Sequence, residues 1–570
     1  MTVARCLWKL CFIPLDAKGP RLFGYPEFLA GLALMVLAWT IADARYRFRV
    51  KTAPIPLRPI TFFVVAIVGV LTLLTDLWRE EQWLVPKGTL LSPPAWQAML
   101  AGIFLLTFLT WAWFAFIKPP IYGKHNAKWY ARALYQAILK GVPTELAIVA
   151  EELTQSARTI VKYATDGRPT PRSGTGLRRE KPPLVEALAD EILLLIADKR
   201  FCRAIVESSP STALAIFQEM NKHNKYEINV GTFGKNLVAE AIANKNSFLY
   251  NEAEGFESGL IGYHKPLSQA MFGNYRMVES IDSLLDPPWR VKAKWDAEQW
   301  EAYCRVVLIT FRDYVDKCTF EHSYVLFRAK GYIQNAASDL YKLNGVDGLA
   351  WDNDIYARLR AIVEFIGDAV EILGEVPLPP NLTLRPKGEP HHLNETFYDH
   401  LADMIFEVIF HASSVASPWW ECWNIQHNLV WDGLFKTHKP ANAAGKVVMF
   451  KVRRKIYDEV VRMNEFPNFK GAKFLAFCLN VMGLREGSHE KEGRALHKAV
   501  LAWTRKNYVW LHKYNFRVAE ACLVSNTTYD EANCRLVKTS PAEGLRREAH
   551  HVYLELASLP KEAEPEPPGK

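Results

Sequence analysis

The chain lacks a metal-binding cysteine pair, a phosphate-cradling glycine loop and the usual hydrolase signatures. None of its nine cysteines forms a CxxC, and none stands beside histidine at zinc-ligand spacing. Scattered singly through apolar segments, they read as reduced, buried thiols rather than a disulfide framework. The stretch VGTFGKN (Val230 to Asn236) has a Gly-Lys pair without the GxxxxGK[ST] spacing that lets backbone amides wrap a phosphate. WDNDIYARLRAIVE has no glycine at the turn position of a calcium loop, and its Glu364 comes one place late. GFESG carries its serine one place late for a nucleophile elbow, and HExxH is absent. No internal repeat of fixed period occurs. The opening MTVARCLWKLCFIPL lacks a signal peptide's unbroken apolar run and cleavage site, because Lys9 interrupts it. It reads as an amphipathic segment lying in the plane of a membrane.

Long apolar runs are present, and they crowd into the first 120 residues. Residues 97–117, QAMLAGIFLLTFLTWAWFAFI, carry no charge over 21 positions. At a rise of about 1.5 Å per residue that length crosses a hydrocarbon core. Residues 60–77 are apolar until Asp76, while residues 22–42, first in chain order, form the weakest run. Tryptophans at the ends of the runs match interfacial aromatic belts. None of the runs holds an ionisable residue near its centre, which argues for an anchor rather than a pump or carrier.

Loop charges orient the runs. Arg45, Arg47, Arg49, Lys51 and Arg58 lie between the first and second, and Lys118, Lys124, Lys128 and Arg132 follow the third. The loop between the second and third offers only Arg79 and Lys87 against Asp76, Glu80 and Glu81. The positive-inside rule places that loop outside and the large C-terminal region in the cytoplasm of a multi-pass cell-membrane protein. Arg5, Lys9, Lys18 and Arg21 conflict with an outside N-terminus. Arg45, Arg47, Arg49 and Lys51 are candidate contacts for anionic lipid.

The fold class expected is a membrane protein: two strong and one weaker transmembrane helix, followed by a mainly all-α cytoplasmic region. The sequence divides into a membrane anchor (1–118), a juxtamembrane helical stalk (119–166) and a linker rich in Pro, Gly and Arg (167–183). A helical domain (184–375), a Pro-rich linker (376–394), a basic helical domain (395–558) and a polar tail (559–570) complete it.

Four patterns suggest chemistry. On the segment ETFYDHLADMIFEVIFHASS, His400, Asp403, Glu407 and His411 fall on one helical face, a ligand set suited to a transition metal. The plain alternative is a solvated face opposite Leu401, Met404, Ile405 and Val408. Apart from such a metal, no cofactor is indicated. Arg546 and His551 resemble the R-x4-H motif that HEPN-type ribonucleases carry on a helix, a spacing loose enough to arise by chance in a chain of this composition. Trp419, Trp420, Trp423 and Trp431 within 13 residues mark a core, or a platform for stacking bases. A glycine- and aromatic-rich stretch around His264 and Lys265 reads as a packed corner between helices or a pocket lining.

Charge is the broadest signal. Between Lys436 and His550 there are 22 Lys/Arg against 11 Asp/Glu, in a chain whose net charge is +8. Lys446, Lys451, Arg453, Arg454, Lys455, Arg505, Lys506, Lys513 and Arg517 are candidate polyanion contacts, with nucleic acid or anionic lipid as partner. The function expected is a membrane-tethered binding or scaffold module, with a protein partner or homo-oligomer as a further role. The alternative is a membrane-linked effector enzyme, a metal-dependent hydrolase or HEPN-like ribonuclease, in the layout of bacterial stress and phage-defence proteins. The charge pattern makes a direct prediction. Reporter fusions after Lys118 should register as cytoplasmic and fusions within residues 80–92 as external; the reverse result overturns the orientation.

Overall fold

A computed structural model describes the chain except residues 1–4, 8–9, 16–20, 42, 87–91, 167–181, 253–256, 259–261, 264–265, 318–321, 349–352, 380–381, 383, 385–394, 437–441, 487–492, 543–547 and 559–570. The chain is mostly helical and falls into two compact units. The first comprises residues 1–241 and 246–248, the second residues 242–245 and 249–570. This division lies inside the segment 184–375 that the sequence suggests is a single domain.

Unit 1 begins with a hairpin, β1 (Arg5–Leu7) and β2 (Leu10–Pro14), followed by α1 (Tyr25–Ile41), α2 (Ala44–Thr52) and α3 (Leu57–Glu80). Then come β3 (Leu84–Pro86) and α4 (Pro93–Ala112), which runs into a π-helical turn at Trp113–Ile117. Two helices, Leu57–Glu80 and the continuous Pro93–Ile117, are long and apolar enough to cross a membrane. Their outer faces leave Phe62, Phe63, Ile67, Leu105 and Leu106 more than half exposed, an apolar surface that water would penalise. The opening segment, read from sequence as an amphipathic stretch in the membrane plane, contains two strands. Its β2 pairs with β1 on one side and β3 on the other, and the β3 edge satisfies its backbone groups.

Two side chains of the long helices fix where α1 starts. The backbone NH of Tyr25 donates to Asp76 near the end of α3, and the NH of Leu22 donates to Gln97 near the start of α4. At its other end Trp39 meets Trp111, close to the end of α4. The 17 residues of α1 therefore run beside α3 and α4, antiparallel to the first and parallel to the second. Phe28, Met35, Val65, Val68 and Leu100 form the shared core. Close approach depends on two glycines: a Cβ on Gly69 would lie 2.7 Å from the Phe28 ring, and one on Gly31 2.8 Å from Phe104.

Past Ile41 the chain bends by 106° into α2, whose run ARYRFRVKT cannot share the apolar environment of α1. α2 docks instead on α5 (Ala127–Lys140) and α6 (Pro143–Tyr163). Arg49 makes a two-pronged ion pair with Glu152, both N–O distances 2.7 Å, while Arg45 reaches Glu151 at 2.5 Å. The segment read as a juxtamembrane helical stalk is helical and packs within an array of helices. Val149, Ala150, Leu153, Ala157 and Ile160 of α6 are buried against α8 (Lys199–Ser208) and α9 (Pro210–His223). The array also contains α7 (Leu184–Leu195) and most of α10 (Gly231–Ala243).

Unit 2 opens with short helical turns and a two-residue ladder, β4 (Glu257–Ser258) with β5 (Gly262–Tyr263). Its framework is α11 (Ala297–Asp316), α12 (Tyr324–Asn335), α13 (Asp354–Gly374), α14 (Phe397–Ala412), α15 (Ala443–Arg462), α16 (Phe469–Met482) and α17 (Arg494–Tyr514). The helix starts are capped as the sequence invites, with capping boxes at Asp296/Gln299 and Thr396/Asp399. Residues 395–558 are not helical throughout. β6 (Thr527–Asp530), β7 (Arg535–Ser540) and β8 (His550–Glu555) make an antiparallel sheet with Leu536 and Leu554 turned inward. Strands of four to six residues bury too few side chains to reveal a period of two in the sequence. Five of the six cysteines with described side chains are buried, and all six are free thiols.

The Arg49–Glu152 pair carries a stability prediction. Glu152→Ala leaves a guanidinium buried without its carboxylate, which costs about 3 kcal/mol. The full-length variant in detergent should unfold at a clearly lower temperature than the parent, whereas Glu151→Ala, at an exposed position, should change little.

Candidate functional site

α14 is the element around which the candidate chemistry gathers. Its buried side, Tyr398, Leu401, Ile405 and Val408, packs into unit 2 between α12 and α15. The face bearing His400, Asp403, Glu407 and His411 is neither solvated nor a single ligand set. Asp399 takes Lys451 at 2.5 Å, Asp403 takes Lys455 at 2.5 Å, and Glu407 takes Lys470 at 2.8 Å. The opposing helices α15 and α16 thus present lysines where a bundle metal site would present further ligands. Burial lowers the pKa of His411, which faces Glu407, Lys470 and Lys473.

One end of this ladder differs. His400 is 3% exposed, and burial pushes its imidazole down to about 4, so the ring is neutral at pH 7. Its Nδ1 makes no hydrogen bond and lies 3.6 Å from a Glu395 carboxylate oxygen. Glu395, His400 and Asp403 bring one donor atom each to within 4.8 Å of one another. From α12, Lys330 is nearly buried, and desolvation lowers its ammonium pKa against the opposing pull of Asp403 and Glu395. The His322 ring completes the wall 5.9 Å from that of His400. A neutral imidazole with two carboxylates is a donor set that fits zinc, iron or manganese. The two lysines already balance the carboxylates, so a dication would have to displace Lys455 from Asp403. Without a metal, the same groups are equipped for acid–base chemistry. His391 and His392 lie outside the described residues.

Comparison with protein-family models, curated proteins and solved structures returned no match. The site must be read from its own chemistry.

The nine cations expected to bind a polyanion divide into two groups. Lys451 and Lys455 pair with α14, Arg454 pairs with Asp458 of its own helix, and Arg505 pairs with Glu486. The Arg453 guanidinium lies over the Phe435 ring at 5.6 Å. Lys446, Lys506, Lys513 and Arg517 are exposed, and among the described residues none has an ion-pair partner. α17 carries five Lys/Arg and no acidic residue. Between α17 and α15 runs a groove of about 720 Å³, its walls including Tyr457, Asn464, Trp503, Lys506, Asn507 and Trp510.

Of the anionic-lipid candidates, Arg45 and Arg49 face α6, whereas Arg47 and Lys51 line a recess with Arg58 and Lys140. His551 is the second residue of β8 and lies 3.1 Å from the Thr539 hydroxyl, so it does not stand on the helix that a HEPN-type pair requires. Arg546, His264 and Lys265 lie outside the described residues. Within the tryptophan cluster, Trp431 is buried against Phe435, Trp423 stacks on His427 at 3.9 Å, and Trp420 is half exposed.

Sequence reasoning missed Lys330, His322, Glu395 and Lys538. Lys538 donates to the backbone and side-chain oxygens of Asn480, and burial pushes it down to about 8. No local pattern marks these residues: Lys330 comes from α12, His322 from the segment before it and Lys538 from strand β7, while Glu395 precedes α14 outside its helical period.

The neutral state of His400 predicts a pH effect. Its folded pKa of about 4 lies below the ordinary imidazole value of 6.5, so the unfolded chain binds the extra proton first as pH falls. The resulting stability is complete above pH 6.5 and declines towards pH 4, by about 3 kcal/mol in all. In metal-free protein, His400→Gln should flatten that part of the stability–pH curve. An unchanged slope would show that His400 is not the group responsible.

Proposed function

We propose that this chain is a membrane-anchored binding module, with α1, α3 and α4 crossing the bilayer and the C-terminal unit in the cytoplasm. In this reading unit 2 engages single-stranded nucleic acid along the α15–α17 groove. The observation that carries it is α17 itself: cations without a single carboxylate, beside a groove with tryptophan and tyrosine in its walls. Cations follow a phosphate backbone, and aromatic rings accept bases of any sequence. Arg453, Arg454 and Lys455, the densest cluster in the sequence, are secondary here because they are held against their own unit.

The test uses full-length protein in zwitterionic nanodiscs and a labelled single-stranded oligonucleotide, with anisotropy read across a salt series. Binding should be measurable at low salt and fall steeply as counterions are released on association. Lys506→Gln, Lys513→Gln and Arg517→Gln together should weaken binding and flatten the log–log slope by about 2. Arg454→Gln should have little effect. Absence of binding at low salt removes the proposal, and binding only to vesicles of anionic lipid would reassign the groove to a membrane surface.

A second reading rests on the unbonded Nδ1 of buried His400. It makes unit 2 an effector enzyme, a hydrolase using Glu395, His400 and Asp403 to hold a transition metal. Elemental analysis of the purified full-length chain decides it: one metal per chain, lost in His400→Gln, supports the enzyme. A metal-free parent excludes the metal-dependent hydrolase.

A further inference from the structure

Two adjoining recesses in unit 1 differ in character. The first, about 150 Å³, is lined by Arg47, Lys51, Arg58 and Lys140 with Glu145 as its lone carboxylate. Glu145 stands 3.6 Å from Arg47 and 3.9 Å from Lys140. Lys51 and Arg58 have no ion-pair partner among the described residues. Burial and the neighbouring Arg58, Lys140 and Arg47 together lower the Lys51 pKa, the mark of cations crowded without enough negative charge. The second recess, about 330 Å³, is apolar, with Trp39, Val50, Phe62 and Trp111 in its wall. Arg47 and Arg58 line both, so the basic recess opens directly onto the apolar one.

The position in the fold gives this pairing its meaning. Arg58 is in the first turn of α3, Trp39 in the last turn of α1 and Trp111 near the end of α4. The antiparallel packing brings these three helix ends to one level, where the apolar helices give way to the basic α2. Headgroup phosphates occupy that depth of a bilayer, with acyl chains beginning just below.

We propose that unit 1 holds one anionic phospholipid, its phosphate among Arg47, Lys51, Arg58 and Lys140 and an acyl chain against Trp39, Phe62 and Trp111. The excess of three positive charges in the basic recess selects an anionic headgroup over a zwitterionic one. Inorganic phosphate would satisfy the cations and leave the larger apolar recess open to water, which is why lipid is the better occupant. The lipid joins α1, α3 and α4 to α2 and α5, at the point where the anchor meets the helical array. The inference rests on the reading of α3 and α4 as membrane spans.

The experiment reconstitutes the full-length chain in phosphatidylcholine nanodiscs doped with phosphatidylglycerol carrying brominated acyl chains, which quench tryptophan on contact. Brominated phosphatidylglycerol should quench at a lower mole fraction than equally brominated phosphatidylcholine. The preference should disappear when Trp39 and Trp111 are both changed to phenylalanine. Arg58→Gln with Lys140→Gln should weaken the preference about tenfold or more, while far-UV circular dichroism and thermal midpoint stay near the parent values. Equal quenching by both headgroups, or a preference that survives the double change, overturns the proposal. So does loss of the preference on adding inorganic phosphate at matched ionic strength, which would assign the basic recess to a free anion. Failure of the chain to enter the nanodiscs would sink the membrane reading and this site with it; entry without headgroup preference would sink this site alone.

Discussion

Buried charge has to be paired, and in this protein the partners come from helices far apart in sequence. Arg49 of α2 finds Glu152 of α6, and Lys451 of α15 finds Asp399 of α14. Each pair takes two ionised groups largely out of water, where loss of one partner costs far more than at a surface. The pairs therefore work as registration points. The first sets α2 across α6 at the base of the apolar helices. The second, with Lys455–Asp403 and Lys470–Glu407, aligns α14 against α15 and α16.

The same constraint separates structural cations from those free to meet a partner. A run such as KVRRK looks like a binding patch, but most of it serves its own unit. Cations without an ion-pair partner among the described residues include Lys506 and Lys513 on α17 and Lys51 and Arg58 in the recess beside α2. These two places differ in what accompanies the charge. Along α17 it is aromatic rings in an open groove; beside α2 it is an apolar pocket at the ends of the long apolar helices. The first suits an extended polyanion and the second a single amphiphile. His400 is the converse case, a polar group buried without a hydrogen bond at Nδ1, and such an exception calls for a ligand or a proton-transfer role.

The apolar runs, their aromatic ends, the helical character of most of the chain and the face shared by His400, Asp403, Glu407 and His411 were legible in sequence, because each follows from composition or from a period of 3.6 residues. The two long apolar helices stand where those runs placed them. Less legible was β1–β2, whose place depends on an edge offered by β3 some 70 residues later. The sheet at β6–β8 escaped for a similar reason, since its strands are short and only their pairing defines them.

Sequence by itself determined which segments are too apolar for water and which helix faces carry charge, since hydropathy and helical period are local properties. Only the tertiary structure decided which charges face each other. It set Lys455 against Asp403 rather than against solvent, and brought Lys330 of α12 to Glu395 and His400 at the start of α14. It also placed Arg58 and Lys140, 82 positions apart, in one recess. Electrostatic energy depends on distance and local solvation, and the order of residues along a chain specifies neither until the helices have packed.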